Sequence, residues 1–450
     1  MPTSSLVSEG FVRQAAATCV GLGLPNLQVA KVKGHPGAQS AEELRRNILD
    51  ATIEQVIANL TQMPAAAKEL QEPGAHEIVF RGGFDAVNRF FYEHEYSDGL
   101  PIVPPTREKL ESFLRYSDGD PDELLGVAMP DNRAATRWSI AVNGVMAGCR
   151  PEYMPVLVAL VEAMLDPDYG NEHSGNSQGG ETLIVLNGPV IKELEFNYVQ
   201  GVLRDGYQAN SSVGRFLRLY LRNVAGFLPQ KTDKATFGNN WRVAAAENED
   251  ALKSISWEPN SVEMGYAAGA NTVTIARYTG GNVISSVSGG TPEEMLPYLA
   301  DALVRQTSWQ LLYTVAHGGR LRPLLVLSPI IAETIAKAGW SKADVKRYLF
   351  DHARMPAHQF ERMQRWAARP AWNLAEQVRL GNIPAMFHES DDPDRMVPLV
   401  WKPDDFMILV TGDPLRNNAY AFGHNGTCGY PVAREVKLPK EWKQLLAARR

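Results

Sequence analysis

The residues that could do chemistry are few. Three cysteines occur, Cys19, Cys149 and Cys428. Cys149 stands in Met146-Ala147-Gly148-Cys149-Arg150-Pro151, directly ahead of an expected helix. A helix N-terminus and an adjacent arginine both favour thiolate over thiol, which makes Cys149 the candidate nucleophile, although packing is the commoner use of a lone cysteine. Cys428 lies in a glycine-rich loop four residues after His424, and Cys19 falls among alanines on a helix face. The polar loop from Asn171 to Gly180 carries His173, whose imidazole titrates near neutrality and could act as general acid or base. A solvated loop histidine is the plainer alternative. Glu247, in Ala246-Glu247-Asn248-Glu249, is the candidate carboxylate acid or base. Arg215 and Lys234 could hold a carboxylate substrate, or these charges could be interdomain salt bridges.

Other chemistries leave little trace. No His-Glu-x-x-His or paired Cys-x-x-Cys is present, so no metal is specified, although Glu172-His173 could contribute ligands with distant partners. Neither Gly-x-Gly-x-x-Gly nor a P-loop occurs. Gly21-Leu22-Gly23 follows a helix and precedes a strand, the reverse of the dinucleotide fingerprint, so the cofactor stays unknown.

The elements expected to position these residues define an α/β protein. Residues 8–62 read as helix, strand, helix, with Leu27–Val32 alternating as a strand and Ser40-Ala41-Glu42-Glu43 forming a capping box. One strand and two helices cannot bury their own faces. The strand must join the sheet of the main domain or complete a sheet supplied by another polypeptide. Residues 63–80 read as a linker, and 81–450 as a larger mixed α/β domain. There the expected strands are 181–187, 243–250, 271–277, 283–287, 324–327 and 406–412. Expected helices include Phe84–Tyr92, Met154–Met164, Gly214–Val224 and the stretch capped by Ser341. Leu183–Gly188 and Phe406–Gly412 run from strand into glycine, the form that lines ligand sites at the carboxyl edge of open sheets.

Composition bounds the class. The chain has 450 residues, 44% hydrophobic and 21% charged, with a formal net charge of −6. That is globular composition with no basic stripe for a nucleic acid. The longest apolar runs fall short of the ~20 residues that span a bilayer. The opening Met1-Pro2-Thr3-Ser4-Ser5 lacks a secretory n-region, and an odd, sparse cysteine set fits a reducing compartment. A cytoplasmic protein is expected.

Ser8-Glu9-Gly10-Phe11, Gly21 through Leu27, His35-Pro36 and Ser40–Leu44 resemble the C-terminal half of the UGSC-like family, named for its selenocysteine- or cysteine-containing U-G-S-C motif. Residues 98–430 resemble a large protein associated with that family. The matching stretches are Asp98–Thr106, Asn143–Tyr153, Asn187-Gly188-Pro189, Asp233–Gly238, Glu247–Glu249, Trp257-Glu258-Pro259 and Gly339–Phe350. The resemblance implies a partial flavodoxin-like or Rossmann-like segment over 1–62, and the U-G-S-C motif itself is missing from it. It thereby implies the large subunit of a heteromeric thiol- or selenol-dependent enzyme acting on a small polar metabolite by redox or thiol-addition chemistry. A small subunit would supply the rest of the N-terminal domain. Cys149, His173 and Glu247 are then the catalytic candidates, and Asn143, Asn187, Arg215 and Lys234 the substrate-binding ones. A metal-dependent hydratase or lyase built on His173 and carboxylates, and a non-catalytic scaffold, are the alternatives.

Overall fold

A computed structural model describes residues 2–63, 73–316, 319–366 and 372–449. In chain order the strands begin with β1 (Ser5–Ser8), β2 (Val29–Val32), β3 (Leu124–Ala128) and β4 (Arg133–Thr136). Next come β5 (Glu181–Asn187), β6 (Ala244–Ala246), β7 (Thr272–Ile284) and β8 (Leu324–Leu327). The last five are β9 (Arg354–Pro356), β10 (Met396–Pro398), β11 (Met407–Val410), β12 (Ala419–His424) and β13 (Val432–Glu435). The chain is a mixed α/β protein, as expected. Among the described residues, no helix is long and apolar enough to cross a membrane.

The main sheet runs β11-β8-β12-β7-β5-β6, with β13 also on β7. The pairs β11–β8 and β5–β6 are parallel and the other pairs antiparallel. Every residue of β5 is buried, which is why it reads as a continuous apolar run rather than an alternating one. The alternation survives in what each side chain meets. Leu183 and Val185 join Ala245, Tyr278, Val326 and Phe422 in an inner cluster drawn from six strands. Ile184 and Leu186 point the other way, into the core shared with helices 137–147, 154–164 and 208–223. A third cluster packs Leu325, Leu327, Ile408 and Val410 under helices 329–337 and 342–352.

The sheet curls until its two edge strands touch. Asn248 N donates to Val410 O at 2.8 Å, and Thr411 Oγ1 donates to Ala246 O at 2.7 Å. Gly281 permits the tight curvature in β7: a Cβ there would lie 2.3 Å from Tyr420 Cε1 and 2.8 Å from Phe422 Cδ1.

The N-terminal segment corrects one expectation and resolves another. It begins with a strand, so its order is β1, helix Val12–Gly21, β2, then the helical run from Ala41 to Thr61. β1 and β2 pair with each other in parallel and form a separate sheet; they do not join the seven-stranded one. The capping box forms as read, with Glu43 N donating to Ser40 Oγ and Ser40 N to Glu43 Oε2. Burial is sparse here, however. Leu49, Ile53, Ile57 and Leu60 lie one or two turns apart on one helical face, yet they remain 54%, 39%, 56% and 43% exposed. Of the expected linker, residues 64–72 lie outside the described residues. Its tail is pinned to the body, where His76 stacks on Trp138 at 3.9 Å and Trp138 Nε1 donates to Ala75 O.

Candidate functional site

Closure of the sheet brings the C-terminal ends of β5, β6 and β11 together, and a cleft of about 590 Å³ opens there. Its walls are Gly188 and Pro189 after β5, Glu247, Glu249 and Asp250 after β6, and the turn Trp257-Glu258-Pro259. Four carboxylates (Glu247, Glu249, Asp250, Glu258) face two lysines (Lys192, Lys253) among the lining residues, so the cleft favours a polar ligand with cationic or donor character.

Glu247 lies at the floor, 1% exposed. Its Oε2 accepts from Asn187 Nδ2 and from Asn260 N, both at 2.7 Å, and its Oε1 accepts from Val410 N at 3.3 Å. Lys342 Nζ sits 3.7 Å from Oε1 and donates to Glu258 O at 2.7 Å. Burial pushes the Glu247 carboxyl up, while Lys342 and the Asn260, Asn187 and Val410 donors hold it down. Both oxygens are occupied, so Glu247 fastens the closing strands to one another instead of meeting a substrate.

Glu249 is different. Its Oε1 accepts from Gly188 N at 2.7 Å and Asn187 Nδ2 at 3.0 Å, and Oε2 has no partner among the described residues. The side chain is thus oriented from one oxygen and open at the other, as a general acid or base must be. Asn187, expected to bind substrate, is 0% exposed and spends its Nδ2 on both glutamates. It positions the carboxylates from below. At the rim, Asp250 pairs with Lys192 Nζ at 2.7 Å and accepts from Tyr198 OH at 3.2 Å.

No family model, curated protein or solved structure matches the chain. The chemistry of the cleft therefore follows from its own residues.

The remaining expected site residues lie elsewhere. His173 belongs to the loop that enters β5, whereas the cleft lies where β5 ends, about 20 Å along the strand. Its side chain is 45% exposed with Glu172 Oε1 at 3.8 Å. The polar groups of that loop are used in packing. Asn176 Nδ2 donates to Cys428 Sγ at 3.2 Å, Asn425 Nδ2 to Gln178 Oε1 at 2.7 Å, and the buried Arg277 to Ser174 Oγ at 2.6 Å. Among the described residues, no group of three or more His, Cys, Asp or Glu side chains is arranged to hold a metal ion.

Cys149 is not an activated thiol. The following helix starts only at Met154, after a short turn at Pro151–Tyr153, and Arg150 is drawn off into pairs with Glu152 at 3.0 Å and Glu195 at 2.8 Å. Burial pushes the thiol up to about 12, with Ser212 and Arg215 opposing. Burial also pushes Cys428 up, against Thr427, Arg277 and Asn176. His424 beside that loop is pushed down to about 3 by burial and is neutral near pH 7. Cys149 and Cys428 are buried and Cys19 is only half-buried. An aromatic disulfide reagent applied to the native chain should therefore react rapidly at Cys19 alone, with all three thiols reacting after denaturation. Fast native labelling of Cys149 would contradict this reading.

Asn143 is buried and cross-links two core helices, donating to Ser139 O at 2.9 Å and accepting from Asn223 Nδ2 at 2.8 Å. Lys234 Nζ donates to Gln230 O and lies 6.0 Å from the Phe11 ring, a contact to the N-terminal segment. Arg215 forms a fork with Asp98 at 3.0 and 2.8 Å, and Arg242 reaches the same carboxylate at 3.3 Å. Asp98 is thereby the anchor of the extended segment 98–106. Burial works against its charge, but the two arginines overcome it and hold the carboxyl below its usual range. The depressed value means that this stabilisation is present above the unfolded pKa of about 4 and is lost as pH falls through the folded value. Asp98→Asn should cost about 3 kcal/mol at neutral pH, near the low end for breaking a buried pair because Arg242 is one-third exposed. The gap from wild type should shrink in acid, as read by denaturant unfolding at several pH values.

Glu249 and Lys342 were each inside a recognisable stretch, but no role was legible for them. The Glu-x-Glu spacing at a strand end was the signal available for Glu249.

Proposed function

We propose that this chain is the large subunit of a two-chain enzyme that adds a thiol or selenol to a small polar metabolite, or removes it. Glu249 serves as the acid/base, and the reacting sulfur or selenium comes from a small subunit that spans from the N-terminal segment, on the side where β5 begins, to the cleft where β5 ends. The observation that carries this reading is Glu249 itself, a carboxylate held at one oxygen by two N–H donors and open at the other in a cleft. In the addition, the thiolate forms a C–S bond to one carbon of a double bond, and the π pair takes a proton from the Glu249 carboxylic acid at the other carbon. In the reverse direction, the Glu249 carboxylate removes that proton and the thiolate leaves. Such proton transfer by a positioned side chain contributes roughly 10²–10⁴-fold. Between redox and thiol addition, the cleft favours addition, because an acid/base is what it offers.

The buried, raised thiols of Cys149 and Cys428 support a sulfur or selenium brought from outside the chain. The two-stranded parallel sheet and the exposed stripe of Leu49, Ile53, Ile57 and Leu60 support a docked partner, since parallel sheets are normally covered on both faces and two strands alone are marginal. With the Ile53→Asp, Ile57→Asp pair, the small subunit should no longer co-purify while the stability of the body is unchanged. Retention of the partner at wild-type stoichiometry would count against this docking site. The activity itself is tested by incubating the complex from its own source with a small-molecule extract and following metabolite masses. Loss of a polar metabolite, with the matching mass gained by the small subunit, supports the reading, as does release of a metabolite from a small subunit already carrying it. No change in any metabolite counts against it.

A further inference from the structure

The two edges of the small N-terminal sheet differ. Ser5 N donates to Gln28 O at 3.0 Å. In the parallel register that pairs Ser5 with Val29, this turns the N–H and C=O of Ser5 and Val7 towards β2 and those of Leu6 away from it. By the same alternation Ala30 and Val32 face β1, and Lys31 faces outwards. The outward groups of Lys31 are sealed by the helical run that follows. Lys31 N donates to Gln55 Oε1 at 2.9 Å, and Lys31 O accepts from Thr52 Oγ1 at 3.0 Å and Gln55 Nε2 at 3.4 Å. An edge whose backbone groups are taken in this way is closed to further pairing. Leu6 has no such seal. Among the described residues its N–H and C=O have no hydrogen-bond partner, and the residue is 63% exposed. No residue of β1 is buried, whereas Ala30 and Val32 of β2 are. Asn59 Nδ2 donates to Ser4 Oγ at 2.9 Å, which sets this open edge beside the end of the exposed stripe at Leu60.

We infer that β1 pairs along its free edge with an extended strand of the small subunit, so that the two chains share one sheet. The inference rests on the two-chain reading and adds to it which edge the partner takes and by what chemistry. An N–H and a C=O pointing sideways from a strand are matched by the main chain of another extended strand, which gives affinity without demanding particular side chains. The seal at Lys31 rules out the opposite edge. Continuity with the apolar stripe favours one occupant for both: a parallel sheet needs its faces covered as well as its edge paired, and a subunit that brings a strand together with apolar surface does both.

The test is hydrogen–deuterium exchange read at single residues, on the chain alone and on the complex purified from its own source. In the chain alone the Leu6 amide should exchange at close to the rate of an unstructured peptide, and in the complex it should slow by about tenfold or more. The Lys31 amide, bonded to Gln55, should be slowed in both and serves as the internal reference. A Leu6 amide that stays equally fast in a complex containing the small subunit would overturn the inference and leave the two-chain reading standing. A Leu6 amide already slow in the chain alone would also overturn it, and would assign the edge to a second copy of this chain if the slowing is lost on dilution. Purified protein with no small subunit would remove the two-chain reading and this inference with it.

Discussion

Replacing Glu249 with glutamine should lower turnover of the metabolite by about 10²–10⁴-fold while leaving the fold intact. Glutamine keeps an acceptor at Oε1 for Gly188 N and Asn187 Nδ2, so the side chain stays in place. What it loses is the ability to carry a proton at the open end. The unfolding free energy should change by no more than about 0.5 kcal/mol, as for a substitution that breaks no buried contact. A residue that only shaped the cleft would raise KM with kcat unchanged, whereas the acid/base role predicts that kcat falls. Turnover within threefold of wild type (roughly 0.6 kcal/mol) would remove Glu249 from the mechanism.

Glu247→Ala should have the opposite character, with a large loss of stability. The substitution strips the acceptor from Asn260 N, Val410 N and Asn187 Nδ2 at once, and it removes a carboxylate from the buried Lys342. Lys342 keeps Glu258 O and the Glu263 carboxylate at 3.7 Å, so it is not wholly abandoned. Breaking a buried pair from one side costs about 3–5 kcal/mol. The pH dependence has a definite sign. Burial raises the folded pKa of Glu247 above that of the unfolded chain, so this contribution to stability is full below about pH 4 and declines as pH rises through the folded value. The gap between wild type and Glu247→Ala should therefore widen in acid. A gap under about 1 kcal/mol at neutral pH, or one that narrows in acid, would show that Glu247 does not hold the strand ends together.

The sequence revealed elements where local signals agree and hid those made by long-range pairing. β5 and β8 match the residues expected, because uninterrupted apolar runs bounded by turns have few other uses. The helix at Lys342 starts where its Ser341/Asp344 box puts it. By contrast, residues 271–277 and 283–287 read as two strands, with Gly280-Gly281 between them. One 13-residue strand, Thr272–Ile284, runs through both and leaves 285–287 outside it, and Gly281 lets Tyr420 and Phe422 cross it. β1, β12 and β13 are short and gain their strand character from partners far away in sequence. The cleft was legible in pieces. Asn187, Glu247 and Trp257-Glu258-Pro259 each stood out, but the meeting of β6 with β11 that assembles them has no local signature. Cys149 and Asn143 are buried, which residue type and neighbours in sequence do not tell, and His173 lies at the opposite end of β5 from the cleft. Arg150 next to Cys149 is an activating charge only until its pairs with Glu152 and Glu195 are known.

On the proposed reading the reaction is assembled from two chains. Native mass spectrometry of this protein purified from its own source tests it most directly. The expected result is a complex with a small polypeptide that carries a reactive cysteine or selenocysteine, and its loss from the Ile53→Asp, Ile57→Asp variant. A homo-oligomer or monomer that consumes its metabolite with no second polypeptide present would contradict it.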